Sequence, residues 1–413
     1  MDISTPLDQQ FSVTGKARIV GELFGGLDIA PTWSTLYTRV TTDPNDAAAF
    51  YDLSLILETL GNKPASVETL KAALGVSRQY RIKNGNGEGA RVLVFVTTGD
   101  FMANTPVEFL LEASNTVIHL YFVDGETTKL DDVPEHDVAF LAIGHSKANF
   151  AVLDRMDQLL KTWPRPVVNS VPGAIKALSR DGVAGKFENE PSILAPKTVN
   201  VVRQQVIELA RGDADVASLL EGSTFPIIVR PTDTHAGEDM AKIADAAQLL
   251  AYMDKTEGER FFLCPFIDYS DADGKFRKQR IAFIDGRAYV SHFAVSEHWM
   301  VHYLSAGMLE YAERRDEEAR WMATFDEDFA LRYAVAFAAL QREMQLDYFA
   351  IDCAELPDGR LLLFEADNAM IVHSMDPEAV FPYKKAPMAR LFSAFETMLE
   401  DRAQKVGATP AGA

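Results

Sequence analysis

The chain is predicted to be an α/β protein with an α+β arrangement in its C-terminal part, and three observations predict this. Runs typical of buried strands alternate with helical stretches from Arg91 to about residue 190. Later strands come as hairpins marked by the dipeptides Asp285-Gly286 and Asp358-Gly359. A segment with helical spacing of its apolar residues precedes both.

Residues 1–88 read as a separate helical extension. Phe50, Leu53, Ile56, Leu57 and Leu60 keep helical spacing, Gly61-Asn62-Lys63-Pro64 ends that helix, and Val67, Leu70 and Leu74 mark a second. The pair resembles one tetratricopeptide unit without a second copy, so a packed extension or a homodimer contact is expected. The polar stretch RIKNGNGEGA (81–90) places a boundary there. Residues 89–190 form the next unit. RVLVFVT (91–97), VIHLYFV (117–123), VAFLAIG (138–144) and PVVNS (166–170) are its strands, which predicts a parallel sheet. The first strand leads into Thr97-Thr98-Gly99-Asp100, and no G-x-G-x-x-G fingerprint is present.

Residues 191–400 hold the strand FPIIVR (225–230), a polar loop, a helix from near Met240 and the strand FFLCPFI (261–267). The hairpin KQRIAFIDGRAYVSHF (278–293), a long helix near 326–345 and an acidic hairpin complete this region. Residues 401–413, ending in GATPAGA, have no core-forming content and are expected to be a disordered tail.

The bulk composition excludes several classes. A net charge of −20 argues against a nucleic-acid surface, which needs clustered cations. No apolar run approaches the roughly 18 residues of a membrane span, and the first residues lack a signal peptide's basic and apolar regions. Two cysteines, Cys264 and Cys353, offer no disulfide framework, and a reducing cytoplasmic setting is expected.

The acidic hairpin, DYFAIDCAELPDGRLLLFEADNAM (347–370), is the most informative stretch. With Asp358-Gly359 as a two-residue loop, Pro357 pairs with Arg360 and Asp352 falls opposite Glu365, with Asp367 on the same face. A bulge at Gly359 would instead slip the pairing by one and set Asp352 against Phe364. Side chains so placed are about 5 Å apart, and carboxylates there repel unless a cation neutralises them. Acids on one hairpin face are commonly solvated. Here the run Leu361, Leu362, Leu363, Phe364 argues that both faces are covered, and oxygen ligands of this kind suit Mg²⁺ shared with nucleotide phosphates.

The strand-loop at 225–237 is the second signal. Arg230 ends an apolar strand and is followed by Thr232, Thr234, His235 and Gly237, a grouping suited to a polyphosphate. Arg280 adds a fixed charge on the following hairpin.

Strand-Arg-loop, FFLCPFID, an Arg-bearing hairpin, then Asp352 and Glu365-x-Asp367-Asn368: in this order the chain resembles the ATP-grasp superfamily of carboxylate ligases over residues ~90–400. The resemblance implies an ATP-grasp fold preceded by the parallel α/β unit, with ATP and Mg²⁺, two ions in the family, as cofactors. Asp352, Glu365, Asp367 and Asn368 would be the metal residues. Arg180 and Lys197, in SRDGVAGKF and APKTV, would approach the α-phosphate or adenine, and Arg230, Thr234 and His235 the phosphates. Cys264, Pro265, Phe266 and Ile267 would form the interlobe hinge facing adenine, with Asp268 accepting from ribose. The chain departs from the family pattern in Asp367 where Asn is usual, in Arg230 for a strand-end lysine, and in a loop with one glycine.

Two other motifs carry less. Gly144-His145-Ser146-Lys147-Ala148 matches a nucleophile elbow except at its last position. His298 and His302 have the helical spacing of metal ligands without the glutamate of H-E-x-x-H. The segment SEHWMVHYLSAGM (296–308) is instead assigned to the second substrate, with His298 and His302 alongside Arg280 as catalytic candidates. Arg314, Arg315, Lys384, Lys385 and His373 are further candidates near that substrate. The expected activity is a ligase that joins a carboxylate to an amine, from a small molecule or peptide, through an acylphosphate, releasing ADP and phosphate. The alternatives are a small-molecule kinase of the same fold and a catalytically silent nucleotide-binding regulator.

Overall fold

A computed structural model describes residues 11–232, 234 and 237–404. The fold is mixed α/β, built on three sheets. β1 (Gln79–Lys83), β2 (Arg91–Val96), β3 (Val117–Phe122), β4 (Val138–Leu141) and β5 (Val167–Val168) make the first, in the order β1-β3-β2-β4-β5. β2 to β5 run parallel, as their continuous apolar runs predict, and β1 joins antiparallel to β3.

The N-terminal helices do not form a separate unit. Ile19, Leu36, Tyr51 and Ile56 share one core with Val92, Val94 and Phe140 of the first sheet. The expected boundary at residue 88 also moves, because Gln79–Lys83 is a sheet strand. Lys63–Val76, capped by the Asn62 side chain, and Ala47–Thr59, capped by Asp46, are the two helices read from the sequence. Two buried acids fix the chain entry before them. Asp52 accepts from the backbone of Thr14 (2.8 Å) and Gly15 (3.1 Å), and Glu108 accepts from the backbone of Lys16 and Ala17.

β6 (Ile193–Leu194) leads out of the first unit into the third sheet. The second sheet is antiparallel, with order β7-β10-β8-β9, from β7 (Val199–Val202), β8 (Ile227–Pro231), β9 (Ala241–Ile243) and β10 (Arg260–Pro265). The helix expected from Met240 begins only at Ala246, after β9. This lobe has a core of its own, drawn from Val201, Val206, Leu209, Ile227, Leu249 and Phe261 among others.

β11 (Phe276–Ile284), β12 (Arg287–Ser296), β13 (Tyr348–Glu355) and β14 (Leu361–Asp367) complete the third sheet, ordered β12-β11-β13-β14-β6. Asp285 (φ 46°) and Gly286 (φ 80°) both take the left-handed conformation that a two-residue hairpin of the type I′ class requires. The single long helix expected near 326–345 is broken into Phe329–Arg332 and Ala334–Met344. The final helix, Lys385–Gln404, packs Met388, Leu391, Phe395 and Leu399 against both Phe140 of the first sheet and Ala282 and Ala350 of the third. It extends four residues into the expected tail, and 405–413 lie outside the described residues. Among the described residues no helix is long and apolar enough to cross a membrane.

Candidate active site

The acidic hairpin turns differently from the simplest expectation. Gly359 N–H donates to Leu356 O (2.9 Å) and Leu356 N–H to Arg360 O (3.1 Å), which makes Pro357-Asp358-Gly359 a three-residue loop with Gly359 at φ 87°. Near the turn the pairing is therefore slipped by one, with Glu355 opposite Leu361. An irregularity between Asp352 and Cys353, where Phe364 has no partner, reverses the slip. Asp352 then lies opposite Glu365 and Asp367 opposite Ala350, so the three acids share one face.

The register continues across the sheet. His292 on β12 pairs with Arg280 on β11, Arg280 with Asp352 on β13, and Asp352 with Glu365 on β14. Arg280 Nε and Nη2 hold the two oxygens of Asp352 at 2.7 and 3.0 Å, and Arg280 Nη1 donates to Ile371 O at 3.0 Å. Lys278 Nζ reaches Asp352 Oδ2 at 2.9 Å. Burial works against ionising Asp352, but Arg280 and Lys278 outweigh it and hold the carboxyl well below the usual range. Lys278 was not singled out in the sequence. Its place two residues before Arg280 on one strand was the available signal.

Glu365 meets the opposite side of the site. Arg180, in the first turn of the helix Arg180–Lys186, donates Nη2 to Glu365 Oε2 at 2.9 Å. Burial raises the Glu365 carboxyl, and Arg180 with Arg230 more than offsets this, leaving it below its ordinary value. Asp367 accepts from Ala369 N–H at 2.8 Å and has no described cation paired to it. Burial first, and the neighbouring Glu365 charge next, push it up to about 7.

From the second sheet, Arg230 on β8 and Cys264 on β10 complete the cluster, both within electrostatic reach of Arg180. Arg230 is buried, donates to the backbone and hydroxyl of Thr234, and among the described residues its Nε has no hydrogen-bond partner. Burial and the nearby Arg180 lower its guanidinium to about 10. A buried donor left open beside a second arginine is a position an anion would satisfy. Burial pushes the Cys264 thiol up to about 11, so it stays protonated and inert.

Other expected residues are arranged unevenly. His302 is half-buried, and burial, then the fields of Lys278 and Arg280, keep its ring neutral. His298 is exposed, and the segment carrying both is irregular, so the two are not helical neighbours. Lys197 is exposed and pairs with Glu221 at 3.2 Å. Phe266 spends its N–H on Pro226 O (3.1 Å), and its ring sits beneath Lys242 Nζ at 3.4 Å. Half-buried Ile267 packs with Tyr269, and Asp268 is exposed and accepts from Ser270. His235 lies outside the described residues. Asn368 donates its Nδ2 to Ile143 O (3.0 Å) and Thr105 Oγ1 (3.4 Å) at the edge of the first sheet, and among the described residues its buried Oδ1 has no partner.

Beyond the His292 end of the row lies a buried group absent from the sequence argument as a unit. Lys384 Nζ reaches Glu318 (3.0 Å), Asp376 (2.7 Å) and His292 Nδ1 (3.4 Å), and Tyr383 donates to Glu318 at 2.7 Å. Lys384 is thus committed to bracing the fold and does not offer a free charge. Arg314 and Arg315 likewise hold backbone carbonyls of Ala306, Met308 and Leu309. Ser146 of the elbow-like motif accepts from Ala148 N–H (3.3 Å) as a helix cap.

The donor set fits a hard divalent cation in part. Glu365 and Asp367 are carboxylates two residues apart on one strand face, and their mutual repulsion is what such an ion relieves. Among the described residues no group of three or more acids, histidines or cysteines converges on a common metal position. Asp352 has both oxygens engaged, and Asn368 has its Nδ2 committed to the first sheet.

No described protein family and no curated protein matches the chain. Similar solved structures include the D-alanine–D-alanine ligase of Bacillus anthracis complexed with ATP, at 13% identity, covering 77% of this chain and 98% of that one, TM-score 0.44. The D-alanine–D-alanine ligase of Coxiella burnetii is 12% identical over 77% and 96% of the two chains, TM-score 0.45. A RimK domain ATP-grasp protein of Sphaerobacter thermophilus is 10% identical over 75% and 100%, TM-score 0.40. Inference about function therefore rests on the chain's own geometry.

Proposed function

We propose that the chain is an ATP-dependent ligase of the ATP-grasp type that joins a carboxylate to an amine through an acylphosphate, releasing ADP and phosphate. One observation carries this reading. Arg180, Arg230, Lys278 and Arg280 gather with Asp352, Glu365 and Asp367 where an antiparallel sheet with its own core faces the acidic hairpin. Four fixed cations beside acidic ligands form a site for a polyphosphate undergoing transfer, where positioning and electrostatics supply most of the rate.

In this reading Arg230 and Arg180 face the nucleotide phosphates, and the Nε–H of Arg230 donates to an oxygen of one of them. Glu365 and Asp367 would hold a divalent cation, which would supply positive charge to offset that of the nucleotide phosphates. Arg280, fixed by Asp352, orients the carboxylate and stabilises charge on the transferring group. His302, kept neutral by burial and by the adjacent Lys278 and Arg280, takes the proton that the amine loses as it attacks. Gly237, between β8 and β9, lies close to Met300 beyond the β11–β12 hairpin, where a Cβ on it would meet Met300 Sδ at 3.3 Å.

The test is ADP release from ATP in the presence of pooled carboxylates and amines, with mass analysis of the product. Condensed product and free phosphate are expected. Accumulation of a phosphorylated acceptor would make the chain a kinase, and failure to bind ATP would remove the reading altogether. Glu365→Gln should abolish ATP turnover while the fold persists.

A further inference from the structure

This inference rests on the ligase reading and concerns how many metal ions its site takes. The acid that would hold a second ion is already spoken for by the backbone register. Arg280 and Asp352 are direct cross-strand partners on β11 and β13, so their contact follows from strand pairing and does not depend on a chance rotamer. Both Asp352 oxygens accept charge-assisted hydrogen bonds, from Arg280 Nε (2.7 Å), Arg280 Nη2 (3.0 Å) and Lys278 Nζ (2.9 Å). Ile371 O pins the remaining arm of Arg280 at 3.0 Å. The carboxylate is itself buried, at 4% exposure, so it cannot swing into solvent to free an oxygen.

The other end of the site shows the same substitution of side-chain cations for metal. Arg180 holds Glu365 Oε2 at 2.9 Å and lies within electrostatic reach of Arg230 and Cys264. Asn368 donates its Nδ2 to Ile143 O and Thr105 Oγ1, toward the first sheet, and among the described residues its buried Oδ1 has no partner. Among the described residues, Glu365 and Asp367 are the acids that keep carboxylate capacity on this face of β14.

We propose that this site takes one divalent cation with its nucleotide, through Glu365 and Asp367, and that Arg280, Lys278 and Arg180 supply the positive charge a second ion would bring. Asp352 is then a positioning residue for Arg280 and not a metal ligand.

Mn²⁺ titrated into the native protein with saturating non-hydrolysable ATP analogue, with free ion read by electron paramagnetic resonance, counts the bound ions. A fluorescent ATP analogue measures nucleotide uptake in parallel. One tight Mn²⁺ per bound nucleotide is expected. Glu365→Gln and Asp367→Asn should each weaken it at least ten-fold. Asp352→Asn, shown to be folded by circular dichroism, should keep the count and affinity within two-fold. Two Mn²⁺ per nucleotide in the native protein would overturn the proposal while leaving the ligase reading intact, and that result needs no variant. Absence of nucleotide uptake would overturn both.

Discussion

Arg280 and Asp352 face each other across β11 and β13 and meet in a two-point ion pair, with Lys278 closing on the same carboxylate. Asp352→Asn keeps the shape and removes the charge, leaving two cations without their anion. Removing one partner of a buried pair typically costs several kcal/mol. Because Arg280 and Lys278 are each about a quarter exposed, roughly 2 kcal/mol is expected. Urea denaturation at pH 7 reads this directly, and an unchanged midpoint with unchanged slope would contradict it. ATP turnover should fall at least 100-fold, since Arg280 loses its orientation.

Arg230 differs from Arg280 in being buried with an open donor. Arg230→Met should weaken ATP binding at least ten-fold without lowering the thermal midpoint, because Glu365, the acid in its field, keeps its ion pair with Arg180. Arg230→Lys should recover part of the affinity. Fluorescence titration with an ATP analogue distinguishes these outcomes, and wild-type affinity in the methionine variant would exclude Arg230 from the nucleotide site.

Glu108 gives the N-terminal docking a pH dependence. Burial raises its carboxyl from the ordinary 4.5 to about 7, against the pull of Lys16. The folded state therefore holds this proton more tightly than the unfolded chain, and folding loses stability as pH rises from about 4.5 through 7. The loss is on the order of 3 kcal/mol when complete. Glu108→Gln keeps an acceptor for the backbone of Lys16 and cannot ionise. Its denaturation midpoint should fall less than wild type between pH 5 and pH 8, and parallel behaviour of the two proteins would refute the assignment.

Gly359 sits at φ 87° with nothing within 4 Å of the position a Cβ would take. Gly359→Ala should thus cost only the backbone penalty, about 1 kcal/mol. ATP turnover should not change, because the irregularity at Asp352/Cys353 lies between the loop and the acids. Lost turnover in a folded variant would mean that the loop sets the acid register.

That hairpin also shows how far the sequence could be read. The alignment of Asp352 with Glu365 was legible, yet it arises by a different route from the simplest count. The loop slips the pairing by one and a bulge restores it, and a bulge has no reliable sequence signature. The Asp285-Gly286 hairpin was legible because both positions need a positive φ. The four parallel strands of the first sheet were legible from unbroken apolar runs, whereas the polar edge strand β1 was not. What stayed hidden depended on long-range partners. Nothing local says that Asn368 serves Ile143, some 225 residues away, or that Lys384 is consumed by Glu318 and Asp376. The N-terminal helices looked autonomous because periodicity reports a buried face without naming what buries it. His298 and His302 looked like helical neighbours for the same reason, since spacing alone does not exclude an irregular path.

The helix Lys385–Gln404 fastens two of the three sheets together. Its apolar face is shared by both, and Arg402 Nη2 clasps Asp285 and Asp347 (3.1 Å to the latter) at the far end. The lobe spanning β7 to β10 takes no part in that seam. In the ligase reading, an opening for nucleotide would fall to this lobe moving as a jaw against the joined base. Trimming the chain at residue 384 would loosen the base itself, and a protease that nicks the jaw's connections at 195–198 or 266–270 would leave it standing.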